Sequence, residues 1–302
     1  MPGLSDSKNL YDFIVSEFAR IESAYESKGS IGGMPTGFYE LDEKIDGIHS
    51  GDIVLVAGRP LMGQSDFIIN LALRLARKEK PRTISIFSMK LQEKICRRLL
   101  AVASRIPMHR LLHGTLLMSD WDKLVRAVGP LAEQPVIVNA DLCYSDEKIL
   151  ELVETLNKGQ DLALVVIDGF ENLVSSKSHS SRKAEVRELI RSLRTIARGH
   201  HVPVIVTLTV LGNDDAGLDK RLAISDLNAS ELQVADASDV VLFLHRSEVY
   251  SSDSPDKNMA ELMVVKNNYG NTGTVKLAYF EELRCFESLA TGYKEDFLLE
   301  DY

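Results

Sequence analysis

The sequence predicts an α/β fold with a mostly parallel sheet and helices on both of its faces. Unbroken apolar stretches of strand length, such as residues 162–167, alternate along the chain with segments whose apolar residues recur at helical spacing. Strands that are apolar at every position are buried on both faces, which is typical of parallel sheets covered by helices. A glycine-containing loop at residues 58–63 and an apolar strand ending in Asp168 add the pattern of a phosphate-binding protein.

The predicted elements follow one another from residue 37 onward. Predicted strands occupy residues 53–57, 83–88, 136–139, 162–167, 204–208, 240–244, 261–266 and 274–279. Predicted helices occupy residues 67–76, 92–104, 121–131, 146–156 and 184–198, with a helix or turn at residues 39–45. The last two strands are joined across residues 267–273, which indicates an antiparallel hairpin at the edge of the sheet.

One amphipathic helix precedes this alternation. Its apolar residues recur at helical spacing between charges and are Leu10, Phe13, Ile14, Phe18, Ile21 and Tyr25. Because no neighbouring element in the sequence covers this stripe, we expect the helix to dock on the main domain or on another subunit. The chain therefore divides into a helix at residues 1–30, an α/β domain at residues 31–294 and an acidic tail at residues 295–302.

The composition of this chain of 302 residues limits the class of protein and its cellular location. Its hydrophobic content of 45% supports a full core, and its net charge of -9 gives no overall basic surface for nucleic acid. The cysteines, Cys96, Cys143 and Cys285, lack metal-ligand spacing and are expected to be small buried residues. No apolar run reaches the ~18 residues of a membrane span, and no signal peptide is evident. We expect a cytoplasmic protein.

Residues 58–65 match the P-loop pattern G-x-x-x-x-G-K-[ST] at all but one position. Gly58 and Gly63 have the required spacing and Ser65 supplies the Mg²⁺-binding hydroxyl, but Gln64 replaces the lysine. The predicted nucleotide-binding residues of this loop are Gly58, Arg59, Pro60, Leu61, Met62, Gly63, Gln64 and Ser65. Asp168 has the form of the aspartate that holds Mg²⁺, so ATP and Mg²⁺ are the candidate ligands, with Ser65 and Asp168 at the metal. An ordinary strand-to-helix turn, with Asp168 as a cap, is the alternative.

The glutamine changes the expected energetics of such a loop. Phosphate would still meet backbone N–H groups and a helix N-terminus. A charged hydrogen bond contributes about 1.5–3 kcal/mol and a neutral one about 0.5–1.5 kcal/mol. We therefore expect weakened ATP affinity, and a larger loss in the transition state of hydrolysis, where more negative charge must be held.

Further segments occur in an order that carries a family resemblance. They are Gly33-Met34-Pro35-Thr36-Gly37-Phe38, Gly51-Asp52-Ile53, Phe87-Ser88-Met89, Val166-Ile167-Asp168, Ser225-Asp226-Leu227, His245-Arg246-Ser247-Glu248 and Thr272-Gly273-Thr274. With the P-loop, they resemble the DnaB-type replicative helicases, whose motor has a RecA-like P-loop NTPase fold. The resemblance implies ATP-driven 5'-3' movement on single-stranded DNA by a hexameric ring, with residues 10–25 as the linker helix that packs on an adjacent subunit. The family's N-terminal helical domain has no counterpart here, so we expect ring formation to need a partner.

Departures from the family fall on its catalytic positions. Lys90 stands where the family has its catalytic glutamate, and Val210 replaces a glutamine that senses phosphate. Of a lysine and arginine that reach the neighbour's γ-phosphate, Lys266 is kept and the other position is Asn268. With Gln64, these changes indicate a protein that hydrolyses ATP weakly or not at all and acts as a binding or regulatory subunit, for example on a replicative helicase. A divergent but active helicase and a recombination-type or clock-type RecA relative are the alternatives.

Lys90 raises a hypothesis of its own. It follows a strand expected to be adjacent to the P-loop strand, so its ammonium could reach the γ-phosphate and replace the charge lost at Gln64. A solvated lysine at a strand end is the alternative.

Two loops are candidates for contact with single-stranded DNA by the same resemblance. The basic residues of these loops are Lys177, Arg182, Lys183, Lys220 and Arg221. Acidic residues at positions 214, 215 and 219 would repel phosphate, and loose solvated loops are the alternative.

Overall fold

A computed structural model describes residues 9–26, 31–76, 82–141, 143–159, 161–211, 221–251 and 253–289. The predicted acidic tail at residues 295–302 lies outside these ranges, as does Lys220. Within them, no helix has the length and apolar character needed to cross a bilayer.

The described strands form one sheet in the order β3-β2-β4-β5-β1-β6-β7-β8-β9. Their bounds are β1 Ile53–Gly58, β2 Thr83–Ser88, β3 Val136–Ala140, β4 Leu162–Asp168, β5 Val204–Thr209, β6 Val240–His245, β7 Met259–Asn267, β8 Gly273–Phe280 and β9 Cys285–Ser288. Strands β1 to β6 are parallel to one another, whereas β7, β8 and β9 join antiparallel. The predicted parallel α/β fold is confirmed. The predicted hairpin is β7 and β8, but it lies one strand in from the edge, because the short strand β9 pairs with β8.

The observed helices include all the predicted ones, and several are longer than predicted. They are α1 Leu10–Glu26, α2 Tyr39–Ile45, α3 Gln64–Ala76, α4 Gln92–Ser104, α5 Met108–His113, α6 Met118–Glu133, α7 Asp146–Gly159, α8 Arg182–Gly199 and α9 Ala229–Ala237. Helix α3 begins three residues before its predicted start because the end of the glycine loop forms its first turn, with Phe67 N–H donating to Gly63 O. Helix α9 was not predicted, although Asn228 caps it and Glu231 completes a capping box.

Both faces of the central strand β1 are buried, as a parallel sheet requires. Leu55 packs with residues of α8 such as Leu189, and Val56 packs on the opposite face with Phe67 of α3. Burying one such side chain stabilises the fold by about 1.5–3 kcal/mol. The two packed layers fix the position of the loop after β1.

Helix α3 is also held from its outer side by the last strands. Asn70 bonds to both Arg284 O (2.8 Å) and Phe286 N (3.1 Å). The hydroxyl of Tyr279 donates to Asp66 Oδ2 at 2.8 Å. The helix that follows the glycine loop is therefore fastened to β8, β9 and the turn between them.

The apolar stripe of α1 is not covered by the α/β domain. Ile14, Phe18 and Ile21 are 58%, 66% and 61% exposed, and Leu10 and Tyr25 are exposed as well. The side chain of Phe13 lies outside the described part of the chain. In the described part of the chain, the α/β domain therefore leaves this stripe uncovered, and docking on another subunit stays a prediction.

The cysteine prediction is wrong for two of the three residues. Cys96 and Cys143 are exposed, and only Cys285 is buried. Cys96 lies on the outer face of α4, and the helical period gave no reason to bury it.

Candidate nucleotide site

The glycine loop lies at the carboxyl end of β1, between two parallel neighbours, β5 and β6. Gly63 has a φ of +98°, a conformation that a side chain disfavours, and it leads directly into α3. The first N–H groups of α3 and the positive end of its dipole thus converge on the loop. This strand-loop-helix arrangement is the one that the spacing of Gly58 and Gly63 predicted, and phosphate binding by it stays a prediction.

Gln64 closes the loop on itself. Its side chain is buried, and Nε2 donates to Arg59 O at 3.1 Å. A Cβ at position 58 would lie 2.7 Å from that nitrogen and 3.0 Å from Leu244 O, so only glycine is accommodated there. The amide therefore fills the space beside Gly58 and brings no charge to the loop.

Arg246 supports the loop from behind. Its side chain is 2% exposed, and Nη1 donates to Leu61 O at 3.1 Å. The guanidinium forms ion pairs with Glu248 (2.6 Å) and Glu281 (3.0 Å) and stacks on Tyr279. A buried cation needs such partners to offset its lost hydration. This role of Arg246 was not predicted from the sequence.

Asp168 is the centre of a buried polar cluster at the carboxyl ends of three strands. Its Oδ1 accepts from Ser65 Oγ (2.6 Å) and Thr207 Oγ1 (3.2 Å). Its Oδ2 accepts from Lys90 Nζ (2.7 Å) and Ser88 Oγ (3.1 Å). Burial alone would raise the pKa of Asp168, but the Lys90 ammonium and the hydroxyl donors lower it below its usual value. Asp168 is thus an ionised carboxylate with every neighbour donating to it.

Lys90 bonds to the residues predicted to hold the metal. Its ammonium contacts both Ser65 Oγ and Asp168 Oδ2, so it is not a solvated strand-end lysine. The expectation that its strand is adjacent to the P-loop strand is wrong, because β4 and β5 separate β2 from β1. The long side chain reaches the site through Asp168, which lies at the end of the neighbouring strand β4.

The same contacts test whether the site fits Mg²⁺. Magnesium demands octahedral oxygen coordination and is usually bound by one or two carboxylates with waters and phosphates. Here both oxygens of Asp168 accept from donors of the chain, and the Lys90 ammonium also contacts the Ser65 hydroxyl. The donor set as arranged does not fit a metal between Ser65 and Asp168.

A cleft of about 210 Å³ opens beside this cluster. Its lining includes Gln64, Ser65, Lys90, Asp168 and Glu171. Glu171 follows Asp168 by three positions, and its Oε2 accepts from Thr209 N–H at 3.3 Å. This glutamate was not predicted as a site residue, although side chains near the carboxyl ends of parallel strands are expected to share a site.

The other changed positions contribute no polar side chain to the cleft. Val210 is fully buried, and its N–H donates to Gly58 O at 2.9 Å, so it offers the cleft no polar side chain. Lys266 donates to Asp236 O at 2.8 Å, and Asn268 to Asp239 Oδ1 at 3.1 Å. Both lie near the start of β6, at the amino-terminal ends of the parallel strands, whereas the glycine loop lies at their carboxyl ends. Neither reaches the nucleotide site of its own chain.

Most of the described basic candidates for DNA contact form ion pairs within the chain. Lys177 pairs with Glu188 at 2.7 Å, and Arg182 with Glu185 at 2.9 Å. Arg221 binds Glu261 through two bonds, the shorter of 2.6 Å, while Lys183 is exposed. DNA contact by these residues stays a prediction.

The parallel sheet, the glycine loop after β1 and the aspartate at the end of β4 define a RecA-like P-loop NTPase domain. The sequence pattern of the DnaB-like helicase C terminal domain matches residues 33–288, and the chain belongs to that family. The predicted resemblance is confirmed.

Curated relatives agree with this assignment. The chain is 33% identical over 290 residues to the replicative DNA helicase DnaB of Geobacillus stearothermophilus and 32% identical over 290 residues to the replicative DNA helicase DnaC of Bacillus subtilis. Each alignment covers 95% of this chain and 63% of the relative. The chain thus spans less than two thirds of these relatives.

Solved structures show the same fold. An isolated ATPase domain superposes with a TM-score of 0.86 at 27% identity, covering 94% of this chain and all of that domain. A DnaB-like replicative helicase, described with its interactions with primase, gives a TM-score of 0.84 at 27% identity, covering 94% of this chain and 68% of its own.

Proposed function

We propose that this chain is a cytoplasmic DnaB-like helicase homologue associated with DNA replication. It binds a nucleotide at residues 58–65, hydrolyses ATP weakly or not at all, and acts as a binding or regulatory subunit. The observation that carries the proposal is the ion pair between Lys90 and Asp168, with Nζ 2.7 Å from Oδ2. It puts a cation where the family resemblance places the catalytic carboxylate.

The chemistry of hydrolysis explains why this change matters. The attacking water needs a base to accept its proton, and a protonated lysine cannot accept one. Charge developing on the phosphate needs cationic donors, and Gln64 supplies a neutral amide. Val210 adds no polar group in place of the family's phosphate sensor. Binding needs fewer of these parts than catalysis does, because backbone N–H groups and the α3 N-terminus remain.

An active 5'-3' DNA helicase is the second candidate, and Glu171 favours it. This carboxylate lines the same cleft as Ser65, Lys90 and Asp168, so it is available as a relocated base. Single-stranded DNA and Mg²⁺ would then be the further ligands of a working motor.

Assembly is proposed from the exposed stripe of α1. A helix with Ile14, Phe18 and Ile21 in water gains stability when another surface covers them. On α6, Trp121 and Val125 are 53% and 71% exposed, and they form a second uncovered apolar face. Packing of α1 on α6 of the next copy would bury both faces in a homo-oligomer such as a hexameric ring. A replicative helicase subunit is the other candidate partner.

The test is ATP binding and turnover by the purified chain, with and without single-stranded DNA, beside Gln64→Lys/Lys90→Glu. We expect the native chain to bind ATP without measurable turnover, and the double variant to gain turnover if those two positions limit the chemistry. DNA-stimulated turnover by the native chain that Glu171→Gln abolishes would overturn the proposal in favour of the helicase. Absence of ATP binding would overturn the nucleotide site itself.

A further inference from the structure

In P-loop proteins, the divalent cation that accompanies the nucleotide is held by the hydroxyl after the glycine loop and by the aspartate of the second motif. The equivalent groups here are Ser65 Oγ and Asp168, and the ammonium of Lys90 contacts both. Lys90 thus takes up the position between two ligands that a metal would otherwise bridge.

We propose that Lys90 is a tethered cation that replaces the divalent metal, so that this chain binds its nucleotide polyphosphate free of Mg²⁺. The inference rests on the proposed nucleotide site and goes beyond it by specifying the ligand as the metal-free species.

Hydrogen-bond capacity supports this role. An ammonium has three donors and no acceptor. Two of those of Lys90 go to Ser65 Oγ and Asp168 Oδ2, which leaves one for a further acceptor. The Lys90 side chain is 37% exposed and lines the cleft beside the glycine loop, so the remaining donor is accessible to a phosphate oxygen. The same charge can therefore balance Asp168 and bind phosphate, as a bridging metal does.

The position of Lys90 is fixed by the cluster it serves. Its backbone N–H donates to Ser88 Oγ at 3.3 Å, and the same hydroxyl donates to Asp168 Oδ2 at 3.1 Å. The turn after β2 is thus tied to the aspartate that the ammonium neutralises. Entry of a metal beside Asp168 would require displacement of this cation, because the Asp168 carboxylate would otherwise face two positive groups.

The first experiment compares ATP affinity by calorimetry in MgCl₂ and in EDTA at equal ionic strength. For the native chain we expect the two dissociation constants to agree within about threefold, whereas Lys90→Met should bind at least about tenfold more tightly with Mg²⁺ than without it. Lys148→Met, which removes an exposed lysine paired with Glu151, should behave as the native chain does. A native affinity that rises about tenfold with Mg²⁺ would overturn the inference and leave the nucleotide site standing.

The second experiment needs no nucleotide. Lys90→Met leaves the buried Asp168 without its cation, so MgCl₂ should raise the Tm of this variant saturably and leave the native Tm unchanged. An equal rise in Tm in both proteins would overturn the inference, whether or not nucleotide binds. Absence of nucleotide binding would separately overturn the proposed function. Lys90→Arg keeps the charge and should remain Mg²⁺-independent, so a folding failure of Lys90→Met does not prevent a decision.

Discussion

The side-chain amide of Gln64 donates to the carbonyl of Arg59 at 3.1 Å, so the glycine loop is closed by a bond between two of its own residues. The loop is therefore held in shape before any phosphate arrives. The same residue leaves the loop without the lysine charge that its pattern requires.

Replacement of Gln64 by lysine should raise affinity for ATP. A charged donor exceeds a neutral one by about 1 kcal/mol, which corresponds to about fivefold in the dissociation constant. Gln92→Lys makes the same change on the exposed surface of α4 and should have little effect. Calorimetric titration of the three proteins checks this. Equal affinities for Gln64→Lys and the native chain would argue against phosphate binding at this loop.

Arg246→Met should lower the free energy of unfolding. It leaves Glu248 without its buried ion-pair partner and frees Leu61 O, and breaking a buried pair costs about 3–5 kcal/mol. Arg191→Met removes an exposed pair with Glu188 and should cost about 0–1 kcal/mol. Urea unfolding of both variants gives the comparison. Similar losses in the two would show that Arg246 does not support the loop.

Asp146 should contribute to stability above its usual pKa and less in acid. Burial raises its pKa, but bonds from Ser176 N–H and Ser192 Oγ, each 2.8 Å, lower it overall. Since the folded pKa is below the unfolded one, the contribution is present above about pH 4 and is lost as the pH falls through the folded value. Asp146→Ala should lower the free energy of unfolding by about 1–3 kcal/mol near neutral pH. Its stability should then fall less steeply than that of the native chain as the pH is lowered.

Urea midpoints from pH 7 down to about pH 3 measure this effect. Asp161→Ala, at an exposed pair with Arg82, serves as the control and should lose stability in acid as the native chain does. If Asp146→Ala also lost stability in acid as steeply as the native chain, the prediction would be contradicted.

The cysteines should differ in reactivity. Burial and the neighbouring Glu287 raise the pKa of Cys285 to about 12, so little thiolate is available at neutral pH. Cys96 and Cys143 are exposed and should be alkylated in the native protein. Peptide mass spectrometry after brief iodoacetamide treatment distinguishes them. Labelling of Cys285 before urea is added would show that β9 opens readily.

Charge placed on α1 should prevent assembly. Phe18→Glu puts a carboxylate in the centre of the exposed stripe, where covering it would require costly burial of a charge. Glu22→Gln changes an exposed polar residue of the same helix and should leave assembly unchanged. Light scattering after size exclusion, with each variant alone and with a replicative helicase, reports the association. Equal masses for Phe18→Glu and the native chain would exclude this face.

The sequence predicted the sheet because its parallel strands are mostly apolar, as the buried residues Leu164 and Val166 of β4 illustrate. It missed β9, which has four residues and little signal of its own. The P-loop and Asp168 were identifiable because their spacing is local. The contact between Lys90 and Asp168 was not, because it depends on β2 and β4 being neighbours in space. The roles of Arg246 and Glu171 likewise depend on tertiary packing.

The hydrogen bonds between α3 and the last strands join segments that are far apart in the sequence. Asn70 and Asp66, on the first helix after the glycine loop, are held by Phe286 and Tyr279 from near the end of the described chain. During synthesis the loop sequence leaves the ribosome long before these partners do. We therefore expect the candidate nucleotide site to be completed only after β8 and β9 have been made.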